Sequence, residues 1–141
     1  MKTVLKLEEL AMLIGSIVLL YLSSVQWWWY LLLALGPDIS MIGYLAGNKI
    51  GAWLYNIFHH KAVALIIFMI GLLVELPGDP HVRVSIINIG IVLFGHSSMD
   101  RFFGYGLKYE NGFKFTHLGE IGKRKGVEVK SKAKQEETII E

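Results

Sequence analysis

The run from Leu10 to Pro37 contains no charged side chain. A helix that crosses a bilayer needs about 20 predominantly apolar residues, so this run is too long for a single span. Its middle, "YLSSVQWWWY", combines polar residues with four consecutive aromatic residues. Tryptophan and tyrosine prefer the headgroup level of a membrane. The run therefore predicts two membrane helices joined by a turn at the interface.

Two further apolar segments follow, and together the pattern predicts four helices at about 7–24, 26–46, 50–76 and 82–104. The sequences "LAGNK", "LPGDP" and "GYG" close the last three of them. The chain is 53% hydrophobic and 18% charged, with a mean hydropathy of +0.47. We therefore predict an all-α fold, a four-helix transmembrane bundle formed by residues 1–106. The alternative, a soluble all-α bundle, is disfavoured because these helices lack a polar face.

Charged residues are concentrated in the last part of the chain, residues 107–141, which we predict to be a charged cytoplasmic tail. Eight of the 14 lysines and arginines lie there: Lys108, Lys114, Lys123, Arg124, Lys125, Lys130, Lys132 and Lys134. The positive-inside rule then places both termini in the cytoplasm and the protein in the cell (inner or plasma) membrane. A net charge of +2 does not indicate nucleic-acid binding, and the absence of cysteine excludes thiolate sites.

Four ionisable side chains fall at one predicted depth. Asp38 precedes the end of the second helix, His59 follows the start of the third, and His96 and Asp100 precede the end of the fourth. At a rise of 1.5 Å per residue, all four lie about 6–14 Å below the cytoplasmic boundary. Imidazole and carboxylate groups are ligands for zinc, iron or manganese. The sequence thus suggests one divalent metal ion held by these four residues.

The local spacing supports a shared pocket. His96 and Asp100 lie one helical turn apart, as do Tyr55 and His59. Proline at position 37 should break or kink the second helix, because it lacks an N–H and clashes with the preceding turn. Two other interpretations remain open: the polar groups serve only as structural hydrogen-bonding partners, or they relay protons in a small proton-coupled transporter.

The chain resembles the small polytopic membrane proteins of domain of unknown function 4260. The motifs "PDISMIGYLAG", "YNIFHH", "HSSMDRFFGYGLKY" and "GFKFTHLG" carry this resemblance over about residues 5–122. Phe115 departs from it, since a carboxylate often stands there. The resemblance implies membrane insertion and no established activity. The following positions match the family pattern, and we predict that they surround the four candidate ligands or contact a substrate: Tyr44, Tyr55, Asn56, Arg101, Lys108 and His117.

A fainter similarity extends to bacterial inner-membrane hydrolases thought to depend on a metal. Their PDxD element, paired histidines and HxxxD element are similar to "PDIS", "FHH" and "HSSMD" here, with Ser40 replacing the second carboxylate. This similarity implies a metal-dependent hydrolase at the cytoplasmic interface, where Arg101 and Lys108 would meet an anionic lipid headgroup or phosphate. The alternative function is a non-enzymatic accessory or scaffold protein. Expected partners are the lipid bilayer and a second copy in a homo-oligomer, and no nucleic acid is expected.

Overall fold

The computed structural model describes residues 1–73 and 80–122, and the predicted all-α class is confirmed over these ranges. The helices are α1 (Lys2–Leu22), α2 (Trp28–Leu35), a 3₁₀ helix (Pro37–Ala46), α3 (Asn48–His59), α4 (Lys61–Leu73) and α5 (Pro80–Phe103). Two short strands follow, β1 (Phe115–Thr116) and β2 (Gly119–Glu120). Most of the predicted "LPGDP" turn and residues 123–141 of the predicted tail lie outside the described residues.

The first and fourth predicted helices correspond to α1 and α5, whereas the second and third are each divided in two. A bend of 41° separates α2 from the 3₁₀ helix, and a bend of 49° separates α3 from α4. By length and composition, α5 alone can cross a membrane as one helix among the described residues. Counting each bent pair as one span raises that number to three.

The two bends have different local causes. Pro37 starts the 3₁₀ helix directly after α2, as predicted from its missing N–H. His60 adopts an extended backbone, with φ −92° and ψ 115°, and ends α3. Its Nδ1 then accepts a hydrogen bond of 3.2 Å from the N–H of Ala62, which caps the start of α4. The break at His60 was not predicted.

The 3₁₀ helix and α3 form an antiparallel hairpin that turns at Gly47. Gly47 has a φ of +114°, a conformation that residues with a Cβ rarely adopt. The two helices approach closely where Gly43 faces Gly51, since a Cβ on Gly43 would lie 3.2 Å from the Cα of Gly51. Small residues therefore set the spacing of this hairpin, as the glycine-rich sequence predicts.

Helix α5 is the central element, and α1, α2, α3 and α4 all pack against it. The broken pair α3–α4 runs antiparallel to it, because Tyr55 contacts Asp100 while Gly71 faces Ile87. Close packing again depends on glycine. A Cβ on Gly90 would lie 2.7 Å from the backbone nitrogen of Phe68 on α4. The centre of α5 is thus enclosed by its neighbours.

The side chains are distributed in the reverse of a water-soluble bundle. A small apolar cluster around Leu20, Leu33 and Val92 is buried, but so are Ser97 and Ser98 in the middle of α5. Many large apolar side chains of the helices point outward, among them Val4, Leu5, Leu7, Ile14, Val18, Leu22, Leu31, Leu35, Ile66, Ile70 and Leu73. Polar and small residues therefore make up much of the interior, while the outer surface is apolar.

The segment after α5 folds back onto α3. Helix α5 ends in a Schellman motif, in which Gly104 has a φ of +97° and Tyr105 N–H bonds to the carbonyl of Asp100. The Asn56 side chain then donates to the Lys108 carbonyl at 2.9 Å and accepts from the Lys108 N–H at 2.7 Å. These two bonds fix the backbone of Lys108 beside α3.

Replacing Gly90 by alanine should destabilise the fold, because its methyl group would collide with the backbone of α4. Overpacking of this kind costs about 1–3 kcal/mol. Thermal unfolding in mild detergent, followed by circular dichroism, should show a lower midpoint for Gly90→Ala. The matched control is Gly15→Ala in α1, where nothing lies within 4 Å of the added Cβ. An equal loss of stability in both variants would contradict the proposed close contact of α4 and α5.

Candidate metal centre

The four side chains that the sequence singled out as candidate ligands lie together in the structure. One ligand atom from each of Asp38, His59, His96 and Asp100 falls within 4.8 Å of the other three. They come from three elements that are distant in sequence. Asp38 lies in the first turn of the 3₁₀ helix, His59 is the last residue of α3, and His96 and Asp100 lie one turn apart in α5.

The orientation of His96 follows from the break at Pro37. In a continuous helix the carbonyl of Leu33 would accept the N–H of residue 37, but proline has none. His96 takes this place, with its Nδ1 at 2.8 Å from the Leu33 oxygen. Because a carbonyl oxygen can only accept, Nδ1 must carry the proton. In the neutral ring, Nε2 is then a bare lone pair, and it points into the cluster.

His59 is oriented in the same way by a different carbonyl. Its Nδ1 lies 2.9 Å from the oxygen of Tyr55, one turn earlier in α3. The same reasoning places the proton of neutral His59 on Nδ1 and leaves its Nε2 bare. The side chain is also held by stacking on the Tyr55 ring, with the ring centroids 3.7 Å apart and the planes at 9°.

The two bare nitrogens face each other. The Nε2 atoms of His59 and His96 are 3.1 Å apart, and the two rings are buried, with exposures of 3% and 0%. Two lone pairs at this distance repel each other unless a positive charge lies between them. The charge is either a proton shared by the two rings or a metal ion bound by both.

The carboxylates complete a set of four ligand atoms. Asp38 Oδ1 lies 3.5 Å from both Nε2 atoms. Asp100 approaches the Nε2 of His59 through Oδ2 at 3.5 Å and that of His96 through Oδ1 at 3.9 Å. Metal–ligand distances of about 2.0–2.2 Å give tetrahedral edges of about 3.3–3.6 Å. The observed separations of 3.1, 3.5 and 3.9 Å lie on both sides of these edges, so the four groups could hold one small cation, with Asp100 offering one of its two oxygens.

Each carboxylate has its own support. Asp100 is 14% exposed and accepts a hydrogen bond of 2.5 Å from the Tyr55 hydroxyl on its Oδ2. Tyr55 therefore contacts two candidate ligands, His59 through its ring and Asp100 through its hydroxyl. Asp38 is 33% exposed and gives the cluster its access to the surroundings. Its place in the first turn of a helix favours a negative charge.

The helix ends favour a cation in the cluster. His59 is the last residue of α3, and Asp100 lies in the last turn of α5. The carboxyl end of a helix carries partial negative charge, which destabilises a carboxylate there and stabilises a positive ion. Two carboxylates and two helix ends thus surround the two facing Nε2 atoms. The electrostatics and the lone pairs indicate the same ligand, a positive ion.

The basic side chain of Lys108 is deeply buried beside the cluster, with 3% exposure. Its Nζ lies over the rings of Tyr55, Tyr105 and Phe113, at 4.8, 5.8 and 4.0 Å from their centroids. Burial lowers the pKa of Lys108 below its ordinary value, while the nearby carboxylates of Asp100 and Asp38 partly oppose this shift.

The remaining predicted residues surround the cluster at a greater distance. Asn56 holds the Lys108 backbone, and Tyr44 packs edge-on against Phe113, with centroids 5.5 Å apart. Arg101 lies in the last turn of α5 and is partly exposed. His117 does not join the four ligand atoms. Its Nδ1 accepts the N–H of Leu107 at 2.8 Å, so it holds the segment that follows α5.

Two contributors to the site were not predicted from the sequence. One is the Leu33 carbonyl, although a proline four residues later always leaves such a carbonyl without its helical donor. The other is Phe113, which lies closest to the Lys108 ammonium. No local pattern marks Phe113, because its contact depends on the turn that brings residues 107–109 against residues 115–117.

The sequence matches the family model described as a domain of unknown function (DUF4260) over residues 2–121. The chain belongs to this family. No curated protein and no solved structure matches the chain significantly. Membership of DUF4260 confirms the resemblance seen in the four motifs, and the matched range covers all four candidate ligands.

Lowering the pH should loosen the DUF4260 segment after α5. Burial lowers the pKa of His117, and the positive charge of Arg101 acts in the same direction. His117 therefore stabilises the fold while it is neutral, and this contribution is lost as the pH falls through its ordinary pKa of 6.5 towards the lower folded value. Protonation would also break the bond from Leu107, because a protonated Nδ1 cannot accept.

Hydrogen exchange of the Leu107 amide should consequently become faster between pH 7.5 and pH 5 than the intrinsic pH dependence of exchange accounts for. In the His117→Gln variant this additional acceleration should be absent, since glutamine does not titrate. Equal pH dependence in both proteins would show that His117 does not control the segment.

Proposed function

We propose that this DUF4260 protein is an integral membrane protein that binds one divalent metal ion and acts as a metal-dependent hydrolase at the cytoplasmic interface. The ligands are Asp38, His59, His96 and Asp100, and zinc, iron or manganese suits this donor set. The four predicted spans cross the cell membrane with both termini in the cytoplasm. The proposed spans are α1, α2 with the 3₁₀ helix, α3 with α4, and α5. Helix α1 is not among the three spans counted above, because Lys6, Glu8 and Glu9 lie in its first half, and we include it because the rest of the helix is apolar.

The membrane part of the proposal is supported by the distribution of the side chains. Without a bilayer, the outward apolar residues of α1, α2 and α4 would face water over an area far larger than monomeric soluble proteins tolerate. The interior contains several glycine, alanine and serine residues beside the apolar cluster, and membrane helices use such small residues to pack closely. The two helix breaks are compatible with membrane insertion, since irregular backbone is tolerated at membrane depth where other protein groups supply its hydrogen bonds.

The metal part is supported above all by the two facing Nε2 atoms, 3.1 Å apart. Their Nδ1 protons are committed to the carbonyls of Leu33 and Tyr55. This is the usual arrangement of metal-binding histidines, in which the second ring nitrogen donates to a carbonyl or a carboxylate. A structural hydrogen bond between two neutral rings would require one Nε2 to carry a proton, which these contacts assign elsewhere.

A bound divalent cation would supply a Lewis acid and lower the pKa of a coordinated water to near neutrality. The protein groups would serve that chemistry in distinct ways. Asp38, the most exposed of the four, leaves one side of the cluster open to a substrate. Tyr55 holds Asp100, and the buried rings exclude bulk water. The faint similarity to inner-membrane hydrolases points to the same reaction class.

The proposal predicts one tightly bound divalent ion per chain. Protein purified in mild detergent should contain close to one equivalent by elemental analysis, and His59→Asn should lose most of it because an essential ligand is removed. The matched control is His60→Asn. It changes the adjacent histidine, and asparagine can still cap the start of α4.

Retention of one full equivalent of metal in His59→Asn would exclude His59 as a ligand. A wild-type protein that is folded, and that takes up none of zinc, iron or manganese from solution, would contradict the metal centre. Circular dichroism on every preparation separates loss of ligand from loss of fold.

Tyr55→Phe should weaken metal binding without abolishing it. The variant keeps the ring that stacks on His59 but removes the hydroxyl that donates to Asp100. Loss of such a supporting hydrogen bond typically lowers metal affinity by about 10–100-fold. Competition with a chelator of known affinity measures the change. An affinity equal to the wild type would show that the Tyr55 hydroxyl does not position Asp100.

A second function is favoured by one observation, the two helix breaks at the cluster. Broken helices around ionisable groups are typical of transporters, in which Asp and His also relay protons. In that case His59 and His96 would share a proton in place of a metal. Proton-coupled flux into vesicles containing a metal-free but functional protein would support this alternative.

A further inference from the structure

The Lys108 ammonium is a buried donor that lacks an acceptor within the described residues. No side chain or carbonyl in residues 1–73 and 80–122 accepts a hydrogen bond from its Nζ. Aromatic faces surround it instead, and the closest ring centroid, that of Phe113, is 4.0 Å away. An ammonium has three N–H donors, and leaving them unpaired in a buried place is costly.

The backbone of Lys108 is fixed by interactions that do not depend on the charge of its side chain. Asn56 holds its backbone N–H and carbonyl with bonds of 2.7 and 2.9 Å. The ammonium lies over the same Tyr55 ring that stacks on His59. It is also near enough to Asp38 and Asp100 to feel their charges. A cation is therefore held next to the proposed metal centre without a bonded counter-ion of its own.

The charges of the metal-loaded site would not balance without an anion. A divalent ion neutralises the carboxylates of Asp38 and Asp100, and Lys108 then leaves one positive charge in excess. An unbalanced charge away from bulk water is unfavourable. An oxyanion that contacts both the metal and Nζ would remove the excess and satisfy the ammonium, because charge-assisted bonds of this kind are strong.

A groove adjoins Lys108 on the outer face of the bend between α3 and α4. Its volume is about 490 Å³, and Asn56 and Lys108 lie among its polar lining residues. The polar lining also includes His60 and Glu110, and the Glu110 carboxylate accepts a hydrogen bond of 3.0 Å from the Trp53 indole N–H. The aliphatic part of the lining includes Ile57, Val63 and Ile66. A groove that combines a lysine and an amide with aliphatic side chains suits an amphiphile with a phosphate head and a hydrocarbon chain.

We infer that the site binds the phosphoryl group of a membrane lipid, with Lys108 Nζ as the anion-binding group and the groove beside Ile57, Val63 and Ile66 as the place of an acyl chain. This inference rests on the proposed function and names its substrate class. Phosphate is the oxyanion that bilayer lipids present at the headgroup level. Lys108 would bind the phosphoryl group and would not coordinate the metal ion.

The test uses the full-length protein in phosphatidylcholine nanodiscs with and without a minor fraction of phosphatidic acid. Phosphorus nuclear magnetic resonance and native mass spectrometry measure bound lipid, and inorganic phosphate serves as the soluble probe. Metal content is determined on every sample. The variants are Lys108→Met, which keeps the length of the side chain, Val63→Trp, which fills the groove, and Lys49→Met, an exposed lysine as the matched control.

The wild type and Lys49→Met should bind phosphatidic acid equally. Lys108→Met should bind it about 10–100-fold more weakly, as expected for loss of a charge-assisted hydrogen bond, while retaining its metal. Val63→Trp should weaken the binding of phosphatidic acid but not that of inorganic phosphate. Lys108→Met should also remain folded, because it removes an ammonium that lacks an acceptor in the described residues.

Unchanged lipid binding in a metal-loaded Lys108→Met protein would overturn the inference and leave the metal centre intact. Equal affinity for inorganic phosphate and phosphatidic acid, with no effect of Val63→Trp, would overturn the lipid assignment in favour of a soluble phosphate compound. A wild type without metal would contradict the proposed function itself, and the metal assay identifies that case separately.

Discussion

The hydrogen bond from His96 Nδ1 to the Leu33 carbonyl is the contact on which the candidate site depends. It exists because Pro37 supplies no N–H to that carbonyl. It joins the break between α2 and the 3₁₀ helix to the C-terminal half of α5, and it determines which nitrogen of His96 faces the cluster. Without it the imidazole could turn or exchange tautomers, and the geometry with His59 and the two carboxylates would not be defined.

The two breaks in the helical backbone lie next to the cluster of candidate ligands. Asp38 directly follows the break at Pro37, and His59 directly precedes the break at His60. Each break releases or ends a run of helical hydrogen bonds, and a histidine side chain takes up a nearby carbonyl in both cases. The irregular backbone therefore orients the ring nitrogens, while the regular helix α5 supplies a rigid base for His96 and Asp100.

Much of the fold and of the cluster could be predicted because the signals are local or depend on depth. Apolar runs marked the helices, Pro37 marked one break, and counting residues from the helix ends brought Asp38, His59, His96 and Asp100 to one level. The break at His60 was missed, because a histidine has no strong preference against a helix. The contacts of Lys108 with Phe113 and of His117 with Leu107 were missed too, since they arise from tertiary folding after α5.

The hairpin that turns at Gly47 has a consequence for biosynthesis. It carries Asp38 and His59, whereas the partners on α5 are made roughly forty residues after His59. During synthesis, Asp38 and His59 are therefore made before His96 and Asp100, their partners on α5. The four candidate ligands can therefore come together only after α5 has packed against the earlier helices.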